Sequence, residues 1–382
     1  MSINTYFKDF LQDIRLTQKQ KDDSKNGHRV LRERLLADEN LKSIIVSTFL
    51  QGSYRRSTAV RPKGEKRADV DVIVVTNLDK SIVKPEEALE MFEIFAEKYY
   101  KGKWEKQGRS IGISMSYVDL DIVVTSAPSE AGQRMMKSMS VMSDLSLEET
   151  FLQDFEWRLS NSWLEPDLMK GYTYNLNEAK AVVEWKTEPL YIPDRDAGTW
   201  EKTDPLEQIR WTREKNKTTN THYINVVKAL KWWKYVRLED LKYPKGYPIE
   251  HMIGDCCPND IKSVGEGVML TLENFVSNYS NEYSFGLVPK FPDRGVQEHD
   301  VWHRITFDDF KAFYESAKKY AKIAREAYEA DSLKKAVDKW IEIFGDKFPP
   351  APDDTKDKGS GNGTGGFTPR TSPSDPGEGR FA

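Results

Sequence analysis

Residues 52–75, GSYRRSTAVRPKGEKRADVDVIVV, decide how this chain is read. They begin at Gly52-Ser53, directly after SIIVSTFLQ (43–51), a β-branched and apolar run that predicts a buried strand. A strand that ends in Gly-Ser and enters a short helix turns backbone N–H groups outward, where they favour an anion such as phosphate. Gly52 permits close approach of the backbone, and Ser53 adds a hydroxyl. A second predicted strand, ADVDVIVVT (68–76), carries Asp69 and Asp71. Strand periodicity of two puts both carboxylates on one face. Adjacent carboxylates repel unless a cation lies between them. Mg²⁺ is the hard ion that typically links one or two carboxylates to substrate phosphates. A lone D-x-D also fits a strand edge facing solvent. Here the strand is otherwise apolar, a Gly-Ser turn precedes it, and a third acid follows.

That third acid lies on SYVDLDIVV (116–124), a further predicted strand in which Asp119 and Asp121 share a face. Either can join the set. Asp121 is favoured because the IVVT after it fits the end of a strand leaving the site. Three carboxylates on neighbouring strands can hold two metal ions that clamp the attacking and leaving oxygens of an in-line displacement. The third acid then helps draw the proton from an attacking hydroxyl. Two Mg²⁺ ions are the expected cofactors, with Mn²⁺ as a substitute.

Around this centre the periodicity predicts helices over 4–19 and 26–38, a helix opened by Pro85 and running to about Tyr100, and a strand over 109–114. Helices then dominate, over 147–158, 206–216, 219–237 and 260–280, with a long one from 307 to 345. The fold class is α+β, a mixed front half and a mostly helical back half. The basic run RPKGEKR (61–67) reads as a solvated loop, with a phosphate-facing loop as the alternative.

Composition sets the outer bounds. The chain has 382 residues, 57 basic and 61 acidic side chains and a formal charge of −4. A molecule so nearly neutral does not wrap nucleic acid as a whole. With 38% apolar residues, 17 Phe, 17 Tyr and 10 Trp, it can fill a large core. Its only cysteines, Cys256 and Cys257, are adjacent, which excludes a disulfide scaffold and a four-cysteine zinc site. Both are expected as buried small hydrophobes. Neither a signal peptide nor a membrane span is expected, so the expected location is the cytoplasm. Trp232 and Trp233 read as core aromatics.

The segments LQGSYRRSTAVRP, ADVDVIVV and VDLDIVVT together resemble the bacterial CD-NTases, the cGAS/DncV-like branch of the DNA polymerase β-type nucleotidyltransferase superfamily. GTWEKTDP (198–205), VVKALKWWK (226–234), KGYPIEHMI (245–253) and RGVQEHDVWHR (294–304) extend the resemblance to residues 5–345. It implies a polymerase β-like core over residues 1–200 and a helical domain of oligoadenylate-synthase type over 201–348. These would form two lobes with the active site in the cleft between them. It also implies that Gln51, Gly52 and Ser53 hold a triphosphate and that Asp69, Asp71 and Asp121 bind metal. Lys231 would meet phosphate, with Lys228 competing for that role, and Tyr247 would stack on a base. Substrates would be NTPs, ATP and GTP among them. The product would be a cyclic di- or trinucleotide containing adenine, a second messenger of CBASS antiphage defence. The zinc module of the animal DNA sensor is absent from the sequence, so no DNA activator is expected. Two alternatives share parts of this pattern. One is a linear oligoadenylate synthase or a protein- or RNA-modifying nucleotidyltransferase; the other is a nucleotide-binding module with a dead site.

The last segment, 349–382, holds 7 of the 23 glycines and 6 of the 18 prolines and reads as a flexible tail. Some members of the resembling family are encoded beside ubiquitin-transfer-like enzymes that attach the synthase's C-terminus to a target. The resemblance therefore implies an E1/E2-like partner acting on Ala382.

Overall fold

Strands β1 (Ile45–Gln51), β2 (Asp69–Thr76), β3 (Trp104–Lys106), β4 (Ile111–Ser114) and β5 (Asp119–Ser126) form the body of one mixed sheet, in the order β1-β2-β5-β4-β3. A hairpin of β6 (Leu190–Asp194) and β7 (Thr199–Thr203) joins it through β5. The computed structural model of the protein describes residues 2–64, 66–126 and 189–352. Met1–Pro350 form one compact unit, and Ala351–Ala382 are assigned to a second.

The central pair, β2 and β5, is parallel, and its other neighbours run antiparallel. Val70, Val72, Val74, Leu120, Ile122 and Val124 are fully or almost fully buried on one face. They pack with Leu89, Phe92 and Phe95 of helix α4 (Pro85–Tyr100) and with Leu31 and Leu35 of α2 (Gln18–Ala37). The alternating acids of the same strands therefore point to the opposite face. Each fully buried side chain of this size contributes about 1.5–3 kcal/mol, so the strand pattern that places the acids is held by its apolar partners.

Two helical expectations need correction. Instead of one helix over 4–19, the chain forms α1 (Ile3–Ile14) and then starts α2 at Gln18. The break is a capping box: the Thr17 hydroxyl accepts the Gln20 N–H at 3.2 Å, and the Gln20 side chain accepts the Thr17 N–H at 2.9 Å. The long helix expected over 307–345 is likewise two, α10 (Phe307–Tyr328) and α11 (Leu333–Phe344). Ser332 caps the second by accepting the Lys335 N–H at 3.3 Å.

The other helices of the back half are α5 (Pro205–Thr218), α6 (Tyr223–Arg237), α7 (Gly246–Cys256), α8 (Val264–Asn278) and the short α9 (Ser280–Phe285). Trp232 and Trp233 lie in the core as expected. Cys256 and Cys257 are free and buried. Phe7 and Phe10 of α1 pack against Trp340, Phe344 and Phe348, tying the first helix to the last. The helix expected over 147–158 lies outside the described residues. Among the described residues no helix is long and apolar enough to cross a membrane.

The basic run 61–67 is anchored, not solvated throughout. The Lys63 N–H donates to the Tyr235 hydroxyl at 3.0 Å, and its ammonium lies 5.0 Å from the Tyr235 ring centroid. Arg61 donates to the Arg15 carbonyl at 3.0 Å.

Candidate active site

Parallel register brings the acids together. Asp69 pairs with Asp119 and Asp71 with Asp121 across β2 and β5. On the other side of β2, Gln51 pairs with Asp71, so the Gly-Ser turn begins beside that carboxylate. One carboxylate oxygen from each of Asp69, Asp71 and Asp121 lies within 4.8 Å of the others. Such a set of hard oxygen donors fits a divalent cation.

The electrostatics fit the same group. Burial, followed by repulsion from Asp71, Asp121 and Asp119, pushes the Asp69 carboxyl up to about 8. Its side chain still has an exposed surface, so solvent moderates the repulsion. Asp121 is pushed up to about 7 by burial and then by Asp71, against a hydrogen bond from Gln107 that lowers it. Burial also raises Asp71, opposed by the nearby Arg56 guanidinium. Without a cation these groups resist being charged together.

Asp119 does not join the cluster. Its carboxylate accepts the Arg67 Nε–H at 3.0 Å, leaving Asp121 as the third member. Asp121 sits near the start of β5, level with Asp71 near the start of β2. The strand therefore arrives at the site with Asp119 and runs away from it after Asp121.

Gly52 has a left-handed backbone, φ +75°, and a Cβ placed there would fall 1.7 Å from the Asp71 Oδ2. Glycine is required here by both space and backbone angle. The helix that follows, α3 (Gly52–Arg55), is one turn long. Ser53 is half-buried, and its carbonyl accepts the Thr58 N–H at 2.9 Å, closing the loop behind the turn.

Lys231 and Tyr247 come to the same region from α6 and α7. The Lys231 ammonium donates to the Thr58 carbonyl at 3.1 Å and to Glu250 Oε1 at 2.9 Å. It thus grips the Gly-Ser loop from behind. Lys228 is buried in α6. The Tyr247 ring is half-buried, with the Arg56 guanidinium 5.1 Å from its centroid. Ala382 lies outside the described residues.

Four residues were missed in the sequence. Gln107 donates to Asp121 Oδ1 at 3.2 Å while its own carbonyl accepts the Ser110 hydroxyl at 2.5 Å. Gly112, paired with Asp121, leaves room for it: a Cβ there would lie 2.5 Å from Gln107 Nε2. Arg56 and Glu250 form a buried ion pair at 3.1 Å. Burial raises the Glu250 carboxyl, but Arg56 and then Lys231 outweigh it and hold the group down at about 2. An arginine in a basic run and a glutamate 194 residues later carry no local signal of such a pair.

Known proteins bear on this geometry. Residues 1–128 match the family model described as Second Messenger Oligonucleotide or Dinucleotide Synthetase domain. The chain is 46% identical to a cyclic AMP-AMP-GMP synthase of Enterobacter hormaechei subsp. hoffmannii, over 100% of both chains. It is 27% identical to a cyclic AMP-AMP-AMP synthase of an Acinetobacter species, over 91% of this chain and 86% of that protein. The CdnC structure of E. coli MS115-1 with ATP shares the fold at a TM-score of 0.60 and 16% identity, over 91% of this chain and 98% of that one. The CD-NTase CdnG of Bradyrhizobium diazoefficiens with GTP does so at a TM-score of 0.61 and 10% identity, over 90% and 95%. With an acid cluster set on a polymerase β-like sheet and identity of this level along the whole chain, the protein belongs to the CD-NTase family of CBASS cyclic-oligonucleotide synthases.

Proposed function

We propose that this chain joins ATP and GTP into a cyclic trinucleotide, cyclic AMP-AMP-GMP, with release of pyrophosphate at each bond. The observation that carries the reading is the 46% identity, without truncation on either side, to a synthase of that name. The clustered carboxylates supply the chemistry such a product needs.

In this reading Asp69, Asp71 and Asp121 hold two Mg²⁺ ions. Bound there, the ions would neutralise triphosphate charge and ease deprotonation of the attacking hydroxyl. Gln51, Gly52 and Ser53 cradle the triphosphate, the glycine allowing its backbone to approach and the serine offering its hydroxyl. Asp121 accepts the proton of the attacking hydroxyl. Gln107 keeps that carboxylate aimed. Lys231 places a positive charge behind the turn, and the half-buried face of Tyr247 takes a nucleobase. Residues 1–200 form the nucleotidyltransferase core and residues 201–348 the helical domain.

The test is mass spectrometry of the product made from all four NTPs with Mg²⁺, before and after phosphatase. A phosphatase-resistant species with the mass of a ring of two AMP and one GMP is expected. A phosphatase-sensitive product would assign the chain to linear synthesis. A ring of other composition would overturn the base assignment alone.

A further inference from the structure

Glu250 lies on α7, 4% exposed, and divides its two oxygens between two cations. Oε2 accepts from Arg56 Nε at 3.1 Å, and Oε1 accepts from Lys231 Nζ at 2.9 Å. Arg56 belongs to the loop after the Gly-Ser turn and is itself buried. Its surroundings hold two carboxylates, Glu250 and Asp71. The Asp71 carboxylate in turn feels both the guanidinium and, with opposite sign, Glu250. One buried guanidinium is therefore bonded to a carboxylate of the helical half while it acts through space on a carboxylate of the acid cluster.

We infer that Glu250 is a positioning residue that holds Arg56 away from Asp71, so that Asp71 keeps its oxygens for a divalent cation. This rests on the reading of Asp71 as a metal ligand. A buried guanidinium cannot stay unpaired. The Arg56 backbone N–H donates to the Gly52 carbonyl at 3.1 Å, and Gly52 lies against Asp71. If Glu250 loses its charge, the other carboxylate acting on Arg56 among the described residues is therefore Asp71. A planar guanidinium pairs with a carboxylate through two parallel hydrogen bonds. Such a pair would put a fixed cation where the metal must bind. Lys231 cannot substitute for Glu250, being a cation, and its grip on the Thr58 carbonyl is anchored by the same glutamate.

The experiment is Mn²⁺ binding to the full chain without nucleotide, read by calorimetry and by loss of the free-ion electron paramagnetic resonance signal. Glu250→Gln is expected to weaken Mn²⁺ binding by about tenfold or more, the usual cost of losing a group that orients a metal ligand. Adding Arg56→Gln to that variant should restore binding to near the wild-type value, because the competing cation is gone. Unchanged binding in Glu250→Gln overturns the inference. So does a loss that Arg56→Gln fails to restore, since that marks a purely structural role. Should Glu250→Gln not fold, Glu250→Met, which removes the charge at similar volume, enters the same titration. Weakening rescued by Arg56→Gln supports the inference, and unweakened binding overturns it. Asp71→Asn in the wild-type background separates the premise: if it leaves Mn²⁺ binding intact, the assignment of Asp71 as a ligand fails instead.

Discussion

Gly52, the first residue of α3, and Asp71 of β2 contend for one volume. A methyl group at position 52 would meet the Asp71 carboxylate, and the left-handed backbone alone costs a non-glycine residue about 1–2 kcal/mol. Gly52→Ala is therefore expected to cut product formation by about a hundredfold or more through displacement of Asp71, with only a modest fall in melting temperature. Wild-type turnover in this variant would refute the steric argument. Gln107→Ala removes the hydrogen bond that aims Asp121. Its expected signature is a kcat lowered about tenfold or more with little change in KM, because the lost contact orients a group used in the reaction step. A change confined to KM would place Gln107 in substrate binding. At this scale the D-x-D pair was legible because strand alternation dictates a common face. Alternation alone does not separate Asp121 from Asp119, since both share that face; the IVVT run favours Asp121, and Arg67 engages Asp119. The Arg56–Glu250 pair was invisible because only the tertiary fold brings it together.

Among the elements, strands were easier to read than helix ends. β1, β2 and β5 announce themselves by apolar runs rich in β-branched residues. The break between α1 and α2 was hidden because residues 15–25, RLTQKQKDDSK, are almost wholly polar and carry no apolar period to mark where one helix stops and the next begins; the Thr17–Gln20 capping box marks it. Thr17→Ala should lower unfolding free energy by about 1 kcal/mol in chemical denaturation, the usual cost of a lost cap. No measurable change would mean that tertiary packing alone sets the start of α2. Helix α7 was read only as a stretch bearing Tyr247, since Gly246 and Pro248 argue against a helix. Both fall in its first turn, where proline removes no needed N–H. The β6–β7 hairpin went unread because Pro193 interrupts the first strand; there the chain pairs with Trp200 of β7.

For the whole molecule, the carboxylates give stability two opposing pH limbs. Asp69 and Asp121 have folded values raised to about 8 and about 7, against about 3.9 unfolded. Their contribution is fully present below the unfolded value and is lost as pH rises through the folded ones. Glu250 has a folded value lowered to about 2; its contribution is present above the unfolded value of about 4.3 and is lost as pH falls through about 2. Metal-free protein should thus melt lower at about pH 8.5 than at about pH 5.5, and Mg²⁺ should abolish most of that difference by favouring the charged carboxylates. Asp69→Asn should flatten the alkaline limb without metal. A metal-free melting temperature independent of pH over this range would contradict the electrostatic picture of the cluster.

The separation of 194 residues between Arg56 and Glu250 also has a meaning in time. A ribosome builds the Gly-Ser turn and all three clustered acids within the first third of the chain, long before α7 exists. Until Glu250 emerges and folds back, Arg56 lacks the carboxylate that pairs with it in the finished fold. The site around Arg56 is therefore complete only once α7 has been made and has packed against the loop after the Gly-Ser turn.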